Sequence, residues 1–85
     1  MKLTKKEISK NIKTKRRTGF GNVFDYSGTV RGFSFETLTD QPAGELMECD
    51  DTGHLTFVAD VSSKKGAVNA IFEWFKEYAP QEFED

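Results

Sequence analysis

One cysteine, one histidine and two prolines stand among the 85 residues. A single thiol forms no internal disulfide and cannot found a cysteine-based zinc site. The lone imidazole, His54, would need carboxylates alone to complete a metal site, a poor donor set for zinc. Cys49 and His54 flank the segment Asp50-Asp51-Thr52-Gly53 and form the one nucleophile–base combination on offer. The acids Glu48, Asp50 and Asp51 beside that thiol oppose the thiolate that cysteine chemistry requires. Gly19-Phe20-Gly21 lacks the third glycine of a dinucleotide fingerprint, and no phosphate-loop lysine follows it. The Asp-Asp-Thr-Gly run matches only the opening of a calcium loop. No apolar run approaches the roughly 18–20 residues of a membrane span, and the charged N-terminus has no apolar h-region. The chain is expected to have no catalytic residue, no metal, no cofactor and no membrane partner. It is not an enzyme, and it works in the reducing cytoplasm.

Charge is present in quantity and unevenly placed. Residues 1–31 hold nine cations against two acids, a net +7, and residues 32–85 hold three cations against twelve acids, a net −9. Together they give the overall charge of −2. Such asymmetry points to a charged partner, either phosphate through counterion release or a protein surface through steering. Attraction between the two halves within the fold, or a solvated basic tail, would account for it equally well.

Periodicity places the elements. Thr4 and Glu7 have the spacing of a capping box, Leu3 and Ile8 that of a hydrophobic staple, and a short helix over 3–14 follows. The run Lys-Thr-Lys-Arg-Arg-Thr-Gly-Phe-Gly-Asn reads as a loop. Strands are expected at 22–27, with a turn at Ser27-Gly28, then at 29–38, 45–49 and 54–61, the last two joined by a tight turn at Asp50–Gly53. In the last strand Leu55, Phe57, Ala59 and Val61 share the predicted core face. Val68, Ile71, Phe72, Phe75 and Tyr78 form a 3.6-residue stripe, so an amphipathic helix spans about 63–79 and Pro80 ends it. The fold class is α+β: a short N-terminal helix, an antiparallel sheet of three or four strands built from hairpins, and a long C-terminal helix on one sheet face. Residues 1–17 are read as a basic arm, 18–80 as the single domain and 81–85 as an acidic tail.

Eleven aromatic residues exceed what so small a core must hold, since Phe57, Phe72, Phe75 and one or both of Phe33 and Phe35 would fill it. Aromatics beside arginine have the composition of interface anchors. One contact patch is therefore placed at Arg16, Arg17, Phe20, Phe24, Tyr26 and Arg31, unless Phe24 and Tyr26 lie under the N-terminal helix as core. A second, acidic patch is placed at Glu45, Glu48, Asp50 and Asp51, complementary to basic grooves such as nucleic-acid channels. The expected function is a small protein-binding module, an inhibitor or modulator of the kind phages and mobile elements carry, that covers a functional surface of a host machine. It would act as a monomer or a small homo-oligomer. The alternative is an RNA- or DNA-binding module using Lys13, Lys15, Arg16, Arg17, Lys64 and Lys65.

Two resemblances bear on that alternative. Gly19-Phe20-Gly21 with Val23-Phe24 and Gly28-Thr29-Val30-Arg31 resembles fragments of cold-shock domains, which stack single-stranded bases on surface aromatics. Here the fragments stand in reverse order, and that barrel has no long C-terminal helix. The order helix, strands, helix, with Ser63-Lys64-Lys65 opening the last helix, is similar to double-stranded-RNA-binding domains. That similarity covers about 25 residues and implies that Lys64 and Lys65 reach phosphates. Val68 and Asn69 stand where a further lysine is expected, and the acids of 45–51 carry the wrong sign for such a ligand.

Overall fold

The computed structural model describes residues 1–84. Helix α1 runs from Lys5 to Asn11, with the Thr4 hydroxyl accepting the Glu7 N–H at 3.2 Å. It is shorter than the predicted 3–14, because Ile12 is already extended and leads directly into strand β1, Lys13–Arg16. The segment expected as a loop is therefore an edge strand, which raises the strand count from three or four to five. All four of its residues are exposed, so they carry no apolar alternation from which a strand could be read. Pairing with the next strand forms it.

That next strand, β2, covers Phe24–Val30 and runs straight through the predicted turn at Ser27-Gly28. Glycine is needed there for a different reason. A Cβ on residue 28 would collide with the Asn11 carbonyl oxygen and lie 2.9 Å from the Asn11 carbonyl carbon and 3.1 Å from the Ile12 Cα. The end of α1 crosses the sheet at this point. The turn falls instead at Arg31-Gly32, where both residues have positive φ (49° and 86°), the backbone of a two-residue hairpin that follows strand twist. Strand β3 is Phe33–Thr37, β4 is Glu45–Cys49 and β5 is Leu55–Asp60, and the sheet order is β1-β2-β3-β4-β5, a five-strand antiparallel meander.

Helix α2, Lys64–Tyr78, starts at Ser63, whose hydroxyl accepts the Gly66 N–H at 3.0 Å. Its buried side chains are Ala67, Val68, Ile71, Trp74 and Phe75. Phe33 and Phe35 from β3 meet Trp74 with ring centroids 5.1 Å apart and steeply inclined planes, a favoured aromatic geometry. Leu3, Ile8, Ile12, Tyr26, Val30 and Leu46 complete one core, so both helices lie on the same face of the sheet. A 3-10 turn, Pro80–Phe83, follows, and Phe83 packs against Phe72 at 5.2 Å. The predicted acidic tail is thus folded over 81–83; Asp85 lies outside the described residues.

One core expectation is overturned. Met47 pairs with Phe57 but Leu46 pairs with Ala59, so Val58 is an extra residue in β5. This β-bulge breaks the period-2 alternation. Val58 packs against the core, and Phe57 is 54% exposed.

Candidate interaction surfaces

The two arginines with the most contacts serve the fold. Arg17, only 8% exposed, donates from Nε and Nη2 to both carboxylate oxygens of Asp25 (3.0 and 2.7 Å) and from its Nη atoms to the carbonyls of Gln41 and Leu38 (3.0 and 2.9 Å). Asp25 also accepts the Thr37 hydroxyl at 2.9 Å. The Arg17 guanidinium, and secondarily that hydroxyl, hold Asp25 below the usual carboxylate range, and Asp25 in turn raises Arg17. This buried bidentate pair fastens the 17–23 loop to the 38–41 loop.

Arg31 grips Glu7 through two bonds of 2.7 Å and reaches the Met1 carbonyl at 2.8 Å and the Glu82 carboxylate at 3.1 Å. The guanidinium pulls Glu7 below its ordinary pKa. Glu7, predicted to close a capping box, thus turns away to bind Arg31. Tyr26 is buried in the core under α1, and Phe24 is half-buried with the Arg16 guanidinium 5.2 Å above its ring. Of the six residues placed in the first patch, Arg16 and Phe20 remain open to solvent; Phe20 is 60% exposed and has Arg17 over its ring at 5.6 Å. Arg16 also donates to the Gly21 carbonyl at 3.0 Å.

The acidic residues are spread along β4 and its turn. Glu45 and Glu48 are half-buried, Asp50 and Asp51 exposed. Asp50 Oδ1 accepts from the Thr52 hydroxyl (2.7 Å) and from the N–H groups of Thr52 and His54 (both 2.9 Å), which lowers its pKa and shapes the turn. Opposite Cys49 stands Leu55, not His54, so the thiol and imidazole are not cross-strand partners. Burial first, then Glu36, Asp50 and Glu48, push the thiol pKa up.

The lysines of the alternative reading divide between two places. Lys13 and Lys15 lie on the β1 edge. Lys64 and Lys65 join Lys5 and Lys6 around a groove of about 510 Å³ between the two helices, with Ser9, Val68 and Asn69 as its other walls. Sequence reasoning missed Lys5 and Lys6 as partners of Lys64 and Lys65. Their helical positions were legible, but not the packing of α1 beside the start of α2.

No family model, curated protein or solved structure matches this chain. The likeness to double-stranded-RNA-binding domains therefore rests on the Ser63-Lys64-Lys65 start and the element order alone.

What the geometry adds is a sorting of charge. Arg17 pairs with Asp25 and Arg31 with Glu7, which uses both acids of residues 1–31. Lys2, Lys5, Lys6, Lys10, Lys13, Lys15 and Arg16 have no ion-pair partner among the described residues. Strand order then puts the β1 cations at one sheet edge and the acids of β4 and β5 at the other, on a body 44 Å long and 16 Å thick. No helix among the described residues is long and apolar enough to cross a membrane.

Proposed function

We propose that this chain is a small non-enzymatic binding module that works by occupying a surface of another protein, as an inhibitor or modulator of a larger machine would. The sorting of charge supports this reading best: the ion pairs among the described residues consume Arg17, Arg31 and Lys76 against Asp25, Glu7, Glu82 and Glu73, leaving an unpaired basic edge opposite an acidic one. Charges in the first turn of α2 also run against the helix dipole. Lys64 and Lys65 sit in its first turn with no acid beside them, whereas in the last turn Lys76 offsets Glu77. The two first-turn lysines cost helix stability, so the helix itself does not explain them. The test places a photo-crosslinking amino acid at position 20 or 51 in the producing cell. A discrete adduct from position 51, lost on the double change Glu45→Lys and Glu48→Lys, or from position 20, lost on Arg16→Glu, supports the reading. Absence of any discrete adduct from both positions refutes it.

The four-lysine groove favours a second reading, in which phosphates of a nucleic acid lie between α1 and α2. Four lysine–phosphate contacts give a log–log salt slope of about −3.6, so duplex affinity falls roughly 150-fold between 50 and 200 mM salt. Changing Lys5, Lys6, Lys64 and Lys65 to glutamine would abolish that dependence. No duplex binding at 50 mM salt eliminates this reading.

A further inference from the structure

We infer that the free edge of β5 and the groove beside it form a docking site for an extended, basic, partly apolar segment of a partner protein, added to the sheet as a sixth strand. The inference rests on the protein-binding reading and names the surface it would use.

The two sheet edges are built differently. Lys13, Lys15 and Arg16 put three cations on β1, the kind of charge that keeps an edge from pairing with foreign strands. Strand β5, Leu-Thr-Phe-Val-Ala-Asp, has neither cation nor proline. Its main chain is free on the outer side. Asp50 N–H donates to the His54 carbonyl at 3.0 Å, and Val61 N–H to the Gly44 carbonyl at 2.8 Å. Antiparallel alternation from these two pairs turns the N–H and C=O groups of Leu55, Phe57 and Asp60 away from β4.

Alongside lies a groove of about 200 Å³ between β5 and α2, with Phe57, Ala70, Trp74 and Tyr78 in its walls. Tyr78, 62% exposed, stands on the α2 side of the groove, and Phe57, 54% exposed, shares the Met47 face of β5, so a strand added at this edge meets an apolar side chain on each face. Glu73 and Glu77 also line it, and Asp60 stands exposed at the strand end. Glu73 has only an exposed contact with Lys76 at 3.3 Å, which leaves its charge largely available. The occupant is therefore basic. A second copy joined β5 to β5 would bring the same acids together. A second copy offering β1 has the right sign, but Lys-Thr-Lys-Arg carries no apolar side chain for the groove. Strand addition combines main-chain bonds with side-chain pockets.

The test titrates ¹⁵N-labelled full-length protein with a synthetic peptide of alternating lysine and valine. Its control is the same peptide N-methylated at alternate residues, which keeps charge and removes strand donors. The expected result is saturable shifts of the Leu55–Asp60 amides, with affinity at least 10-fold weaker for the methylated peptide and at least 10-fold weaker for the Phe57→Lys protein. Phe57 is exposed, so that variant keeps the remaining spectrum. Absence of saturable β5 shifts at millimolar peptide, or equal binding of both peptides, overturns the inference. So do β5 shifts that depend on protein concentration alone, which would make a second copy the occupant. If the inference fails while crosslinks form from position 20 or 51, the binding reading stands without it; if those crosslinks are also missing, the reading itself falls.

Discussion

Replacing Gly28 by alanine tests how the fold positions its basic groove. The new methyl would lie 2.9 Å from the Asn11 carbonyl carbon and 3.1 Å from the Ile12 Cα, against a preferred carbon–carbon separation of about 3.5–4 Å. Both neighbours are backbone, so no side-chain rotation relieves the overlap. The overlap with the Asn11 carbonyl oxygen is deeper still, so the end of α1 must retreat by more than about 1 Å, which loosens the buried Ile8 and Ile12. Overpacking of this kind costs about 1–3 kcal/mol. The reduced backbone entropy of alanine in a strand returns about 0.5–1 kcal/mol of that. Because every overlap is with backbone, the cost lies near the top of that range, and the resulting net loss of about 2 kcal/mol lowers Tm by roughly 8–16 °C in a domain of this size. The assay is thermal unfolding followed by circular dichroism, with Ser27→Ala as control. Ser27 is exposed and faces Lys13, so its loss changes stability by no more than about 0.5 kcal/mol. The spectra of Ile8 and Ile12 should shift with Gly28→Ala, and Lys5 and Lys6 should move relative to Lys64 and Lys65. A Gly28→Ala protein melting within 2 °C of the parent would refute the close approach.

Phe35→Ala, at a fully buried ring, costs about 3–5 kcal/mol in urea unfolding, whereas Phe57→Ser changes stability by no more than about 0.5 kcal/mol; similar losses at both sites would contradict the bulge. Asp25 and Glu7 are held below their ordinary values by arginine, so their stabilisation is present in full at neutral pH and is lost as pH falls below the ordinary carboxylate range. Melts taken from about pH 5 down to pH 2 should show a falling Tm, with a shallower slope in Asp25→Asn, and an unchanged slope would sink the assignment. Cys49, raised by burial and three acids, should alkylate with iodoacetamide more slowly at pH 7.5 in the folded protein than in urea; equal rates would show an open, reactive thiol.

The fold class was legible because its strongest signals are local. The stripe Val68, Ile71, Phe75 and the Ser63 cap announced α2, and alternation through Phe33, Phe35 and Thr37 announced β3. What escaped depends on partners distant in sequence. Strand β1 has no apolar residue and exists because β2 pairs with it. The bulge at Val58 is a register property of β4 and β5 together, and it sends Phe57 outward although its own strand alternates well. Gly28 looked like a turn because glycine usually marks one, but its reason is the backbone of α1 passing overhead. The candidate site was legible only as a charge imbalance. Which arginines the fold consumes was not, because Arg17 and Asp25 are separated by eight residues and Arg31 and Glu7 by twenty-four.

Arg31 shows why the imbalance survives folding. A non-glycine residue at φ 49° is strained, and asparagine or glycine is the usual occupant of such a turn. Arginine is held there by Glu7, the Met1 carbonyl and Glu82, so one side chain ties the start of the chain, α1 and the C-terminal turn to a single hairpin. Asparagine in its place would relax the backbone but release all three. Glu7 would then return beside Lys5 and Lys6 as a free acid and weaken the positive field on α1. By pairing with Glu7, the turn leaves α1 without a free acid beside its lysines. The contact that closes the fold is therefore the same one that keeps its two ends oppositely charged.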